Sequence, residues 1–443
     1  MRQHLLRQGA GELSYEIREI AKKAHQLEEL GVPIYWENIG DPVQKNNELP
    51  DWMKQIITDL TRQNHTYGYC HSKGVLETRK FLADRTNALG GAQITAEDIL
   101  FFNGLGDAIS KLYEYILPTS RVIGPSPAYS THSSAEAAHA NHHPLTYKLD
   151  PENNWYPDVD DLYMKVKYNP NIVGILIINP DNPTGMVYPR HILERFVEIA
   201  KEFNLFLVSD EIYSNITYNG ARSYVLSEFI DEVPGIAMKG ISKELPWPGA
   251  RCGWIEYYNR HRDEDFNKLC LTLDNAKMIE VCSTKLPQLA IPKILGDERY
   301  EQYLQEKNEA IGRRSRIITD ILESVPYITF NTTNGAFYNT IIFKEDALSS
   351  DQYLEVEHPR AKELLNQWLA AEDEIQPDKQ FVYYLLAAKG VCVVPISSFC
   401  SDLKGFRVTL LEENEEYLEE IFTRIRDAVM EYCESTVNQS ISA

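Results

Sequence analysis

Short apolar runs alternate with amphipathic stretches through the middle of the chain. Three of the runs are rich in β-branched and aromatic residues and predict strands: "IVGILII" (172–178), "LFLVS" (205–209) and "GWIEYY" (253–258). Two stretches upstream predict helices, one at 74–90 that ends on glycine and one at 107–117 that starts on aspartate. Alternating strands and helices indicate a parallel or mixed sheet with helices on both faces.

The predicted domain division follows from where this alternation stops. A long helical pattern from about Arg299 to Ser324 leads into short strands and two more helices, which predicts a second, smaller α+β domain. The leading segment holds one helix, at about 12–30, and is too short for a core of its own, so we expect it to pack with the smaller domain. The predicted parts are an N-terminal arm with part of the small domain at 1–65, a large domain at 66–295 and a small C-terminal domain at 296–443.

The chain is strongly acidic. Its 443 residues include 44 Lys+Arg and 65 Asp+Glu, a net charge of −21, which argues against nucleic acid or an anionic membrane as a partner. Any anionic ligand therefore needs a local positive site. The seven cysteines form no CxxC pair and suit reduced thiols. Because the first residues are polar and the longest apolar run has seven residues, we expect a cytoplasmic protein without a membrane span.

Polar side chains follow the predicted strands. "NPDNPTG" (179–185) comes directly after the first strand and "SDEIY" (209–213) closes the second, and Lys243 comes 33 residues after Asp210 in the irregular stretch "GISKELPWPGAR". Groups at the carboxyl ends of parallel strands converge on one crevice. A lysine amine can form a Schiff base with an aldehyde cofactor, and a buried aspartate can hold a protonated pyridine nitrogen. Taken alone, the first motif also fits an ordinary tight turn, and the lysine a surface loop.

The order of motifs resembles one family over nearly the whole chain. The motifs are, in order, "NIGDP", "YGYCHSKGVLETRKFLA", "NGLGDAISKL", "PSPAY", "NPDNPTG", "SDEIY", "SK" with an arginine eight residues after the lysine, "NGAFY" and "FRVTL". This series resembles the class I/II aminotransferases of pyridoxal phosphate fold type I. The resemblance implies an α/β fold, with a large domain whose mixed, mostly parallel seven-stranded sheet lies between helices, and a smaller α+β domain.

The resemblance also implies roles for residues at the cofactor ring. Lys243 matches the lysine that forms the Schiff base with pyridoxal 5'-phosphate and then moves the α-proton of the amino acid. Asp210 matches the partner of the pyridine nitrogen, and it could equally cap a helix. Asn182 and Tyr213 match the residues that hydrogen-bond the phenolic oxygen. Tyr129 matches the aromatic residue on the ring face, with plain core packing as the alternative.

A second group matches the family's phosphate site. The resemblance implies that backbone N–H groups at the start of a helix hold the phosphate together with a bidentate arginine. It also implies a tyrosine from the partner subunit of a homodimer. The residues expected at the phosphate are Gly104, Leu105, Gly106, Ser242, Arg251 and, across the dimer interface, Tyr69. One departure is Gly240, which stands where many relatives have a serine, so that hydrogen bond is absent or comes from Ser242 or the backbone.

Substrate recognition is expected at Arg407, which matches the arginine that clamps the α-carboxylate, with help from Asn182 and the backbone near Gly40. The region 263–290 has no arginine, whereas relatives specific for aspartate carry one there. We therefore expect a neutral or aromatic L-amino acid as donor and a 2-oxo acid such as 2-oxoglutarate as acceptor. A flexible lysine or Arg222 could still open the pocket to acidic side chains.

Two other functions share these motifs. A lyase or decarboxylase acting on an amino acid would use the same cofactor residues, and a regulator could bind pyridoxal phosphate without turnover. We expect an aminotransferase of amino-acid metabolism, because the full series of motifs is that family's. We expect no metal, since His139, His142 and His143 lack a completing ligand and suit a solvated loop.

Overall fold

A computed structural model describes residues 5–13 and 16–435. The strands are β1 Tyr35–Trp36, β2 Ile99–Phe102, β3 Arg121–Ser126, β4 Thr146–Asp150, β5 Tyr156–Pro157, β6 Ile172–Ile178, β7 Phe206–Asp210, β8 Gly235–Gly240, β9 Gly253–Tyr258, β10 Ile328–Thr329, β11 Tyr338–Phe343, β12 Val391–Cys392, β13 Val394–Pro395 and β14 Gly405–Thr409. The helices are α1 Glu16–Glu28, α2 Asp51–Thr61, α3 Leu76–Asn87, α4 Leu105–Tyr115, α5 Ser130–Ala140, α6 Val159–Tyr168, α7 Arg190–Phe203, α8 Glu264–Ile279, α9 Lys285–Leu295, α10 Tyr300–Leu322, α11 Pro359–Ala370, α12 Pro377–Lys389 and α13 Glu415–Glu434.

The larger sheet is mixed and mostly parallel. Its strand order is β2-β9-β8-β7-β6-β3-β4-β5. The five central strands β8, β7, β6, β3 and β4 run parallel, while β9 is antiparallel to both of its neighbours. The predicted seven strands are all present, and the two-residue β5 pairs antiparallel with β4 as an eighth. The fold class inferred from the motifs is confirmed.

The strand order reverses between β3 and β6. From β3 the chain moves outward to β4, and then returns to place β6 on the other side of β3, followed by β7 and β8. Ligands of open α/β sheets bind at such a reversal, outside the carboxyl ends of the strands. Tyr129, Asn182 and Asp210 all lie at these ends, because they follow or close β3, β6 and β7.

The central strands are apolar because both of their faces are covered. Six of the seven residues of β6 are buried, as are all six of β9, and both strands have the bounds that their sequences predict. Helices α3 and α9 lie against one another, α4 packs on α5 and α8, and α6 packs on α7. The apolar runs are therefore buried strands of a helix-covered sheet.

A second sheet with the antiparallel order β10-β11-β14-β13 has its own core. Buried residues of α10, α12, α13 and α1 pack there, whereas α2 contributes to the core of the larger sheet. The boundaries proposed from the sequence, at 65/66 and 295/296, remain predictions.

The described chain has no disulfide and no helix that could span a membrane. All seven cysteines are free thiols. Within residues 5–13 and 16–435, every helix is too short or too polar to cross a bilayer.

Candidate active site

A cleft of about 460 Å³ opens at the reversal point, between the larger sheet and the β10-β11-β14-β13 sheet. It collects residues that are far apart in sequence. Among the residues predicted from the motifs, those that line the cleft are Gly40, Leu105, Gly106, Tyr129, Asn182, Asp210, Tyr213, Ser242, Lys243, Arg251 and Arg407.

Lys243 enters the cleft from an irregular segment. Strand β8 ends at Gly240, and the chain then makes turns and a short 3₁₀ helix at Pro248–Ala250 before β9 begins. This path carries the backbone across the floor of the cleft. The Nζ atom of Lys243 donates to the carbonyl of Gly40 at 2.6 Å and lies 5.7 Å from the centre of the Phe337 ring. Its amine therefore faces the ligand space.

The N-terminus of α4 and Arg251 form a cradle for an anion. Helix α4 begins at Leu105, two residues before the predicted start, so the amides of Leu105 and Gly106 belong to the first turn and have no acceptor within the helix. Gly104 precedes them with φ 89°, and a Cβ there would lie 2.4 Å from Nη2 of Arg251. Only glycine fits both the backbone angle and the arginine. The helix dipole and the guanidinium both favour a negative group here.

Asp210 lies in the floor of the cleft and is 3% exposed. Its Oδ2 is 3.0 Å from Nε2 of His132, and its Oδ1 accepts from the amide of Ile212 at 3.1 Å. The side chain therefore caps the turn that follows β7 and also keeps a carboxylate at the end of the strand. Nδ1 of His132 is buried and has no partner among the described residues.

The "NPDNPTG" motif is a tight turn that also presents Asn182. Oδ2 of Asp181 accepts from the amide and hydroxyl of Thr184 at 3.0 and 2.6 Å. Burial raises the pKa of Asp181 to about 7, although the Thr184 donors oppose this shift. Gly185 has φ 73°, which closes the turn. The motif is therefore both a tight turn and part of the cleft, because the turn fixes the position of Asn182.

A pair of tyrosines forms one wall. The hydroxyls of Tyr213 and Tyr338 are 3.1 Å apart, and the rings meet edge to face. Burial raises the pKa of Tyr213 well above its usual value, so its phenol stays protonated. Gly40 lies against this wall, because a Cβ there would come within 2.0 Å of the Tyr338 hydroxyl.

Arg407 reaches the cleft from β14 and is 2% exposed. Nη1 donates to Oδ1 of Asn182 at 3.2 Å, and Nη2 donates to the carbonyl of Asn38 at 2.7 Å. Its guanidinium carbon lies 4.4 Å from the centre of the Tyr338 ring. The Nε atom is buried and has no partner in the described chain. A buried cation with spare donors is suited to clamp a carboxylate.

Some predicted residues lie elsewhere. Tyr69 is 82% exposed and does not line the cleft, so any role at this site needs a second subunit. Arg222 pairs with Glu228 outside the cleft. The expectation of a solvated loop is wrong for His139, which is buried in α5 because its Nε2 meets the carbonyl of Ser120 and its ring meets Tyr113.

Three polar residues with a possible part in the chemistry are among those that escaped the sequence interpretation. His132 follows Tyr129 by three residues, so its position in the first turn of α5 beside a strand end was a usable signal. Tyr338 closes "NGAFY", a motif that was recognised without a role for its tyrosine. Arg18 on α1 lines the cleft although it lies in the N-terminal segment, and its helical pattern gave no such signal.

The residues fit pyridoxal 5'-phosphate. The anion cradle suits a phosphate, Asp210 suits a protonated ring nitrogen, and the Lys243 amine and Arg407 line the same cleft. When bound, this cofactor supplies an aldehyde that an amine can capture and a ring that accepts electrons from a carbanion. The buried, unpartnered Nε of Arg407, which lines the cleft, indicates that the site is completed by a ligand.

Comparisons with known proteins agree. The model of the family described as aminotransferase class I and II matches residues 38–425. The chain is 52% identical over 432 residues to a protein of Methanocaldococcus jannaschii named as an uncharacterized aminotransferase, covering 98% of this chain and 99% of that one. It is 30% identical over 328 residues to the glutamate-pyruvate aminotransferase AlaA of Escherichia coli, covering 73% and 79%. The solved alanine aminotransferase of Pyrococcus furiosus superposes with a TM-score of 0.82 at 27% identity, over 96% and 100% of the two chains.

These matches favour aminotransfer among the reactions that the motifs left open, because the family is described as aminotransferases and the relatives named above are aminotransferases. The chain belongs to the class I and II aminotransferases and is a pyridoxal phosphate-dependent enzyme that moves an amino group between an amino acid and a 2-oxo acid.

Proposed function

We propose that this aminotransferase interconverts L-alanine and 2-oxoglutarate with pyruvate and L-glutamate. The observation that carries the proposal is that, besides Arg251 at the anion cradle, the cleft is lined by two further arginines, Arg407 from β14 and Arg18 on α1. A monocarboxylate such as alanine needs only Arg407 for its α-carboxylate. A dicarboxylate such as glutamate brings a second negative group, which Arg18 is suited to meet. The names of the two relatives, a glutamate-pyruvate and an alanine aminotransferase, support the same pair of substrates.

The roles that we propose at the cofactor are supported by the presence of these side chains around one cleft. The Lys243 amine binds the cofactor and later accepts the α-proton of the amino acid. Asp210, oriented by His132, keeps a proton on the ring nitrogen. Tyr213 and Asn182 orient the ring through its phenolic oxygen, while Tyr129 supports its face. Leu105, Gly106, Ser242 and Arg251 hold the phosphate, next to Gly104.

The donor pair is tested by the absorbance of the cofactor-loaded protein in the presence of single amino acids. We expect L-alanine and L-glutamate to convert the absorbance band of the pyridoxal form into that of the pyridoxamine form faster than L-aspartate or L-phenylalanine do. Adding pyruvate or 2-oxoglutarate should restore the first band. Arg18→Ala should raise the half-saturating concentration of glutamate about ten-fold, the equivalent of one charge-assisted hydrogen bond. The half-saturating concentration of alanine should change less than about two-fold.

Arg222→Ala is the matched control, because Arg222 is an exposed cation outside the cleft and should leave both values unchanged. Equal losses for alanine and glutamate in Arg18→Ala would contradict the role of Arg18. Faster conversion by phenylalanine or aspartate would contradict the substrate pair itself.

We further propose that the enzyme is a homodimer in the cytoplasm and that Tyr69 reaches the phosphate of the partner subunit. An exposed apolar surface supports this: Tyr67, Tyr69, Met278, Ile279 and Val281 are between 48% and 86% exposed. Its two segments touch, because Sγ of Cys70 lies 3.9 Å from the carbonyl of Ser283. Exposed apolar surfaces of this kind usually mark an interface.

Tyr69→Phe should therefore weaken pyridoxal phosphate binding about ten-fold, through the loss of one hydrogen bond to a charged group. The wild-type protein should sediment as a dimer. Tyr67→Phe is the control, because its hydroxyl already donates to the carbonyl of Thr61 at 2.5 Å within its own chain. A monomer that retains full cofactor affinity would contradict both parts of this proposal.

A further inference from the structure

Side chains of helix α10 form hydrogen bonds with the main chain at Lys243. Nζ of Lys307 donates to the carbonyls of Lys243 and Glu244, each at 2.7 Å. The hydroxyl of Tyr303, one turn earlier on the helix, donates to the Glu244 carbonyl at 3.1 Å. No backbone amide of the described chain donates to either carbonyl. Side chains of α10 therefore supply the hydrogen bonds that this irregular segment cannot make for itself.

The two ends of Lys243 are thus fixed by different parts of the molecule. Its amine lies in the cleft against the Gly40 carbonyl, while its own carbonyl is bonded to Lys307 on the opposite side. A lysine side chain is long and flexible, so the position of its backbone decides which part of the cleft the amine can reach. Lys307 has a direct influence on that backbone position.

Lys307 is enclosed by groups of both signs. From the Lys243 segment, two charges act on it: that of Lys243 and that of the Glu244 carboxylate, which accepts from Asn215 at 2.7 Å. The other titratable or charged groups around it are Glu48, Tyr303, Glu306, Arg314 and Glu413. Burial lowers the pKa of Lys307 to about 7, while Glu244 opposes that shift. Its charge therefore changes near neutral pH.

The same face of α10 contacts the strand region that bears the substrate arginine. Arg314 follows Lys307 by seven residues, which is two helical turns, and its Nη1 donates to the carbonyl of Leu410 at 3.1 Å. Leu410 directly follows β14, the strand of Arg407. One continuous helix thus joins the backbone of Lys243 to the end of the strand that presents Arg407.

We propose that Lys307 is a positioning residue for the aminotransfer reaction, fixing the backbone from which Lys243 reaches its cofactor, and that α10 ties this backbone to the strand of Arg407. The inference rests on the proposed role of Lys243. It assigns Lys307 no contact with substrate or cofactor.

The test compares Lys307→Met, Lys307→Arg and Arg313→Met as cofactor-loaded enzymes. Rapid mixing with L-alanine gives the maximal rate at which the cofactor band converts and the half-saturating alanine concentration. We expect Lys307→Met to lower the maximal rate roughly ten- to a hundred-fold, as misplacement of a reacting group does. The half-saturating concentration should stay within about two-fold, because Arg407 is untouched. Lys307→Arg, which keeps a cation with several donors, should stay within about three-fold of wild type.

Arg313→Met removes an exposed cation from the same helix, where it pairs with Glu415, and should leave both values unchanged. A second measurement uses pH. Lys307 loses its charge near pH 7 whereas arginine keeps its charge. The ratio of the wild-type rate to the Lys307→Arg rate should therefore fall from about pH 6 to about pH 8.

Two results would overturn the proposal: a wild-type rate in Lys307→Met, or an equal loss in Arg313→Met. A rate ratio that does not change with pH would contradict a part for the charge of Lys307 and would assign its effect to its two hydrogen bonds alone. If Lys307→Met does not fold, Lys307→Gln takes its place, and the rates should rank wild type, Lys307→Arg, Lys307→Gln. Lys243→Ala separates this proposal from the one on which it rests. If Lys243→Ala keeps the Schiff-base band of the wild-type enzyme, the role of Lys243 itself is wrong, whatever the Lys307 variants show.

Discussion

Lys243→Ala is expected to replace the Schiff-base absorbance of the bound cofactor by that of the free aldehyde and to lower kcat by at least about 10⁴-fold, the scale seen when a group acting as nucleophile or base is removed. Lys243 is the lysine whose amine faces the ligand space among the described residues lining the cleft. In the role proposed for Lys243, its loss removes the covalent attachment of the cofactor and the acceptor of the α-proton.

The phosphate cradle at α4 and Arg251 stays intact in this variant, so pyridoxal phosphate should still bind, reversibly, and be removed by dialysis. Lys268→Ala is the control, because Lys268 is an exposed lysine on α8 and should behave as wild type. If the band and the activity of Lys243→Ala match those of the wild-type protein, another amine carries the reaction.

Asp210→Asn is expected to produce the second-largest loss, about 10³-fold in kcat, the upper range for removing one preorganised electrostatic group. The substitution keeps the size of the side chain and its acceptor for the Ile212 amide, but it removes the negative charge that stabilises a proton on the ring nitrogen. Cofactor affinity should fall much less, since the phosphate contacts remain.

The readout is kcat together with pyridoxal phosphate affinity, measured on the same samples. Asp265→Asn serves as the control, because it removes the charge of an exposed aspartate on α8, and it should change neither value. If Asp210→Asn loses cofactor affinity and kcat in equal proportion, Asp210 acts in binding and not in the chemistry.

The sequence predicts the site where the site depends on short-range signals. β6 and β7 are apolar runs that end in polar motifs, so Asn182 and Asp210 could be placed at the same sheet edge before any coordinates. The glycines and prolines around Lys243 marked a segment outside regular structure, and the turns after Gly240 explain that composition.

Other parts depend on contacts that no local pattern encodes. The Tyr213–Tyr338 contact joins residues 125 positions apart, and the His132–Asp210 contact joins residues 78 apart. Arg18 sits on a helix whose apolar stripe only predicts packing, and nothing in that stripe tells which cleft the helix borders. The eighth strand, β5, has two residues, too few to show an alternating pattern.

The cations of the cleft have a kinetic consequence. The described lining gathers Arg18, Lys243, Arg251 and Arg407 inside a chain whose net charge is −21. At physiological ionic strength these charges act over about 8 Å, the Debye length, so an anion approaching from solution meets the acidic exterior first. Capture of cofactor and substrate is therefore not accelerated by long-range attraction. We therefore expect encounter at a rate without electrostatic steering, and discrimination between anions by the fixed arginines inside the cleft.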